Sequence, residues 1–289
     1  MTSILFKSSE GRATIERWHQ RFRAQVPAPL ESRRVSTRFG ETHALVGGPA
    51  DAPPLVMLHG ALASSAHLLV ELAALLPHFR VYAVDVLGQS VMSADARLRV
   101  DNDDAGAWLG EVLDGLGLQR VRLIGVSWGG FVAQRFAAVA PTRVERLALL
   151  VPAGVVGGSG WKGFTRMGLP MTLFLMAPTP ARLDRFAAAL LTTLDDDWKP
   201  YLGDAFTHYR VATKIPALSR DGDFEKLDAP VLVVAAEHDV SFPGQKLLDR
   251  ARQLFREPQT ELLAGSQHSP PTTPAFRAWM GQRLLDFFR

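Results

Sequence analysis

The chain has 289 residues, 47% hydrophobic and 21% charged, with a formal net charge of +3, an ordinary globular balance with material for a large core. The positive excess is spread thinly: the densest basic run, Arg17 to Arg23, is interleaved with Trp18, His19 and Phe22 and reads as a solvated helix face, so no nucleic-acid partner is expected. The absence of cysteine excludes disulfides, thiolate catalysis and cysteine-held metals, and the longest apolar run, 169–178, is about half of what a bilayer crossing requires.

Taken in order, residues 1–12 hold no apolar stretch long enough for a secretory leader, and a cytoplasmic protein off the membrane is the expectation. Residues 14–25 read as an amphipathic helix. Residues 34–38 and 42–46 read as two short strands turned by Phe39-Gly40-Glu41. Continuous apolar runs follow at 55–58, 81–84, 121–126, 144–151 and 231–236, with a further strand at 261–264. Runs without polar alternation are what strands buried on both faces look like. Helical stretches at 65–76, 102–116, 130–140, 242–255 and 273–288 separate them. The alternation implies a mainly parallel sheet covered on both faces.

Residues 152–225 break the pattern. They contain no convincing strand, are rich in Gly, Pro, Met and bulky apolar side chains, and suggest helices at 171–176 and 181–191. The expected organisation is therefore a core of residues 1–151 and 226–289, with 152–225 inserted as a helical cap over the C-terminal edge of the sheet. That edge is where open α/β sheets bind ligands.

The chemistry centres on Gly125-Val126-Ser127-Trp128-Gly129, which fits the G-x-S-x-G turn between a buried strand and a helix. Such a turn projects a serine hydroxyl from the sheet, and its glycines avoid collisions with neighbouring backbone. A serine needs a base, and a base needs an orienting carboxylate. Of eight histidines, His268 follows the last strand and completes the chain order Ser, acid, His. The loop after 231–236 offers Glu237 and Asp239. Periodicity does not separate them, and Asp239 lies further past the strand, where the chain can curve over the edge. Oxyanion donors are expected from the backbone N–H groups of Trp128 and of Ala61, in the loop His59-Gly60-Ala61-Leu62. His59 reads as structural, positioning that turn. Met171 and Phe174, in an apolar stretch with Met167, Leu169, Leu173 and Met176, are candidates for roofing a substrate pocket. The competing reading makes them the core of the cap.

Together with Asp85, Gly88, Ser90 and Ala-Glu-His-Asp239, these landmarks resemble the α/β-hydrolase superfamily in its order. More narrowly, Ser36-Thr-Arg-Phe-Gly40, the stretch from Gly48 to Val56 and His59-Gly-Ala61 resemble the bacterial carboxylesterases that include naproxen esterase. The resemblance implies an eight-stranded sheet whose second strand is antiparallel, hydrolysis of a small-molecule carboxylic ester, no cofactor and no metal. It also favours Asp239 over Glu237. Trp128, Gln89 and Ala236 depart from residues common in that superfamily, and Trp128 would narrow the acyl site. Carbon–carbon bond hydrolysis, thioester hydrolysis or perhydrolysis could use the same triad, and a slowly turning-over receptor could share the fold. A serine at the elbow disfavours dehalogenases and epoxide hydrolases, which form an ester on a carboxylate.

Overall fold

The apolar runs become strands of one sheet. The computed structural model describes residues 3–158, 160–211 and 214–289. Helix α1 (Ser9–Gln25) precedes β1 (Leu30–Thr37), β2 (Gly40–Gly47) and β3 (Pro54–Leu58). Next come α2 (Ser65–Glu71), β4 (Arg80–Val84), α3 (Asp104–Gly115), β5 (Val121–Val126), α4 (Trp128–Val139) and β6 (Val144–Leu150). Among the described residues, the α-helices α5 (Gly160–Gly163), α6 (Leu169–Met176), α7 (Pro180–Ala187) and α8 (Trp198–His208) follow, with a π-helical segment, Phe164–Gly168, joining the first two. The chain closes with β7 (Val231–Ala236), α9 (Gly244–Leu254), β8 (Gln259–Leu263) and α10 (Pro274–Phe288).

The eight strands lie in the order β1-β2-β4-β3-β5-β6-β7-β8. β2 runs antiparallel to both neighbours, and the other pairings are parallel, as the resemblance implied. Side chains alternate between two cores. Val56, Leu58, Leu123, Val233 and Ala235 pack with Trp108, Phe131, Phe136 and Leu247 of α3, α4 and α9. Leu55, Met57, Ile124, Leu232 and Val234 face the other way, towards Leu69 of α2 and Met280 and Leu284 of α10. Burial on both faces is the reason these runs show no polar alternation. Among the described residues, no helix is long and apolar enough to cross a membrane.

Among the differences from the sequence expectation, three have a clear physical reason. β1 starts four residues earlier than expected, because it pairs only with β2 and most of its side chains are exposed. The helix expected to end at residue 191 stops at Ala187, and Leu191 instead forms a parallel bridge with Ser269. α8 was not expected at all. Its Pro200 sits in the first turn, where a missing N–H costs no helical bond.

α8 packs against α1. Trp18 Nε1 donates to Asp204 at 2.7 Å, the Trp18 and Tyr201 rings meet edge-on at 5.8 Å, and Phe22 lies 5.4 Å from Trp198. The amino-terminal segment thus binds the β6–β7 insertion to the body of the protein. Phe6 adds a bridge to Tyr209.

Candidate active site

Ser127 sits between β5 and α4 with φ 50° and ψ −110°. For a residue with a side chain that backbone is strained, by about 1–3 kcal/mol, and it survives only where its surroundings enforce it. They do so here. A Cβ on Gly125 would come within 2.5 Å of the Gly129 carbonyl, and one on Gly129 within 2.2 Å of the Leu58 carbonyl. Only glycine lets strand, helix and the β3 loop close around the serine.

The C-terminal sheet edge brings three distant side chains together. Ser127 Oγ and His268 Nε2 are 2.9 Å apart, and His268 Nδ1 lies 2.7 Å from Asp239 Oδ2. The other Asp239 oxygen accepts from the amides of Ser241 and Phe242 at 2.7 and 3.0 Å, which fixes the carboxylate in a buried position. Burial works against a charged His268, but the charge of Asp239 and its hydrogen bond outweigh that, and the imidazole pKa is raised above its usual value. Glu237 is exposed and points elsewhere. Its Oε2 accepts from the Gly265 amide at 2.8 Å, bracing the turn ahead of His268.

The β3 loop runs directly against the serine: a Cβ on Gly60 would lie 3.5 Å from Ser127 Cβ. Ala61 follows, exposed on the same loop. Trp128 is the first residue of α4, so its N–H has no partner within the helix. The loop is held from below. His59 Nε2 accepts from the Val86 amide at 2.9 Å, which leaves the proton on Nδ1 to be donated to the Gly60 carbonyl at 2.7 Å. Burial lowers the His59 pKa, in keeping with this neutral tautomer. Asp85 accepts from Ser65 N, Ser65 Oγ and Ser90 Oγ, and its Oδ2 is 2.6 Å from His43 Nδ1. Burial would raise this carboxyl, yet the hydrogen bond to His43 and the surrounding imidazoles hold it below the usual range.

Two supports come from the insertion, and sequence reading missed both. Tyr201 on α8 donates its hydroxyl to the carbonyl of Leu62, itself in a left-handed conformation with φ 55°. Gln89 Oε1 accepts from the Leu62 amide at 3.3 Å. At the other side Thr192 Oγ1 accepts from the Gln267 amide and donates to the Ser269 carbonyl, at 2.8 and 2.7 Å, clasping the His268 loop. The only sequence signal for Tyr201 was the spacing of Trp198, Tyr201 and Ala205 along one helix face. Thr192 left none.

The apolar stretch of the insertion divides. Phe174 is 5% exposed, stacks on Phe186 at 6.1 Å and would be 3.5 Å from a Cβ on Gly203. It packs between α6, α7 and α8, which favours the competing reading, the core of the cap, over the roof of a pocket. Met171 is half-buried, while Leu169, Leu173 and Met176 are exposed. Phe174→Ala is therefore expected to cost about 3–5 kcal/mol of stability, read as a lower melting temperature, with ester chain-length preference unchanged. A shifted preference at an unchanged melting temperature would return Phe174 to the pocket.

A cleft of about 360 Å³ is lined by Trp128, Phe131 and Val132 of α4, the 87–89 loop and the 97–100 segment; Ser127 and His268 are not part of its lining.

A family model described as the α/β-hydrolase fold matches residues 53–195. The carboxylesterase YbfK of Bacillus subtilis strain 168 is 31% identical over 272 residues, covering 90% of this chain and 88% of that protein. The uncharacterized carboxylesterase nap of the same strain is 28% identical over 281 residues, covering 91% of this chain and 88% of that protein. The crystal structure of naproxen esterase (carboxylesterase NP) from Bacillus subtilis superposes with a TM-score of 0.82 at 25% identity, covering 98% of this chain and all of that one. The chain belongs to the α/β-hydrolase family.

Proposed function

We propose that this protein is a serine hydrolase that cleaves carboxylic esters of small molecules through an acyl-enzyme on Ser127. The observation that carries the reading is the continuous relay Ser127–His268–Asp239, at 2.9 and 2.7 Å, on a strained turn. Its likeness to carboxylesterases along nearly the whole chain supports the same activity.

In this mechanism His268 Nε2 takes the Ser127 proton as Oγ attacks the ester carbonyl. Asp239 keeps the Nδ1 proton in place and stabilises the imidazolium that forms. The N–H groups of Trp128 and Ala61 receive the developing oxyanion. The imidazolium then protonates the departing alkoxide, and water, activated by the same histidine, releases the acid and restores Ser127. Residues 152–225 act as a cap over the sheet edge, and Met171 is the position we assign to its pocket-facing side.

A panel of 4-nitrophenyl esters, a thioester and a vinylogous diketone, run beside labelling with a fluorophosphonate, tests the reading. Ester turnover with label confined to Ser127 supports it; label elsewhere, or turnover of the diketone alone, overturns it. Because only neutral His268 can accept a proton, and its pKa is raised, activity should be lost on acidification through an apparent pKa above about 6.5. A flat kcat/KM profile between pH 5 and 8 would exclude His268 as the base.

A further inference from the structure

We infer that Thr192 and Asp195, in the link between α7 and α8, are positioning residues for His268, so that the residues between β6 and β7 place the base as well as cover the sheet edge. This deepens the ester-hydrolase reading and rests on it.

Ser127 and Asp239 are placed by the sheet and its own loops. Ser127 N donates to the Leu150 carbonyl at 2.9 Å, and Asp239 accepts from the amides of Ser241 and Phe242. His268 is held differently. It lies in the irregular link, residues 264–273, between β8 and α10. Up to Ser266 that link is tied to the core, with His238 N donating to the Ser266 carbonyl at 2.8 Å. Beyond it, among the described residues, the backbone bonds on either side of His268 go to the α7–α8 link. Gln267 N donates to Thr192 Oγ1 at 2.8 Å, and Ser269 N to the Leu190 carbonyl at 2.7 Å. The Ser269 carbonyl accepts from Thr192 N at 3.1 Å and from Thr192 Oγ1 at 2.7 Å. One threonine thus grips the residue before the histidine and the residue after it. The core reaches His268 through its ring, by way of Ser127, Asp239 and the edge of Phe242.

Asp195 fastens the far end. Its Oδ2 accepts from Thr272 Oγ1 at 2.5 Å, and its Oδ1 accepts from the amides of Asp197 and Trp198, at 3.0 and 2.6 Å, where α8 begins. One carboxylate therefore joins the His268 link to α8, the helix whose Tyr201 holds Leu62 next to Ala61. The imidazole must present Nε2 to the serine and Nδ1 to Asp239 together, and a misplacement of about 1 Å can cost about 10² in rate. Without a grip on both flanks, the ring is free to give up one of the two bonds.

Thr192→Val keeps the shape of the side chain and removes both hydroxyl bonds, whereas Thr192→Ser keeps them. Thr192→Val should lower kcat for 4-nitrophenyl butyrate by about 10- to 100-fold with KM within about twofold of wild type, and Thr192→Ser should recover most of the rate. Asp195→Ala, which acts from further away, should lower kcat by about three- to tenfold. The rate of fluorophosphonate labelling at Ser127 separates placement from folding. A misplaced histidine slows the labelling of all the protein, while partial unfolding reduces its extent and leaves the folded fraction reacting at the wild-type rate. A wild-type labelling rate in Thr192→Val or in Asp195→Ala, whatever its extent, removes that residue from the role. A loss that Thr192→Ser shares in full overturns the assignment of Thr192, since its hydroxyl bonds would not be the cause. Ester hydrolysis stands in either case. If wild type takes the label at Ser127 but cleaves no ester, the ester-hydrolase reading fails, and the labelling rates still decide the part played by Thr192 and Asp195.

Discussion

Replacing Ser127 with alanine is expected to lower kcat for 4-nitrophenyl butyrate by about 10⁴- to 10⁶-fold, the range seen when a triad serine is removed. The loss should be in kcat and not in KM. The hydroxyl contacts His268 and acts in the chemical step. The fold should persist, because the strained turn is enforced by Gly125, Gly129 and the β3 loop and not by the hydroxyl. Circular dichroism and melting curves recorded on the same sample would show this. Full activity in the alanine variant, or its failure to abolish fluorophosphonate labelling, would remove Ser127 from the mechanism.

The second large effect concerns the carboxylate. Asp239→Asn should cost about 10⁴ in kcat, since an amide at this place lets the imidazole adopt the wrong tautomer and no longer stabilises its charged form. Glu237→Gln should leave the rate nearly unchanged, because its exposed side chain serves the Gly265 turn and an amide oxygen can accept the same bond. The two variants form a paired comparison: a crippled Glu237→Gln with an active Asp239→Asn would reverse the assignment.

The sequence carried much of this because the chemistry is local. A five-residue turn marks the nucleophile, and a histidine after the last strand marks the base. The buried strands were legible because each has two apolar faces, Leu55 and Met57 to one core and Val56 and Leu58 to the other. What escaped was either exposed or long-range. The first half of β1 has little apolar side chain to show, since it is an edge strand. Glu237 and Asp239 share a periodicity, and only the bend of the loop separates them, one burying its carboxylate beneath His268 and the other remaining outside. Phe174 looked like its apolar neighbours because one apolar stretch supplies both the packed and the open side of α6. Tyr201 and Thr192 act through hydrogen bonds to residues 139 and 75 positions away, which no local pattern encodes.

The bond from Tyr201 to the Leu62 carbonyl has a consequence for how substrate reaches the serine. α8 is anchored twice, to α1 through Trp18 and Asp204 and to the β3 loop through Tyr201. Swinging α8 outward would pull on Leu62 and disturb the neighbouring Ala61 amide at the moment of entry. The α5–α6 arm has no such tie to the β3 loop among the described residues; it rests on the Asp239 side, where Met167 touches Ser241 at 3.9 Å. The insertion is thus moored to the β3 loop through α8, and α6 shares that mooring through Phe174, which stacks on Phe186 and reaches Gly203.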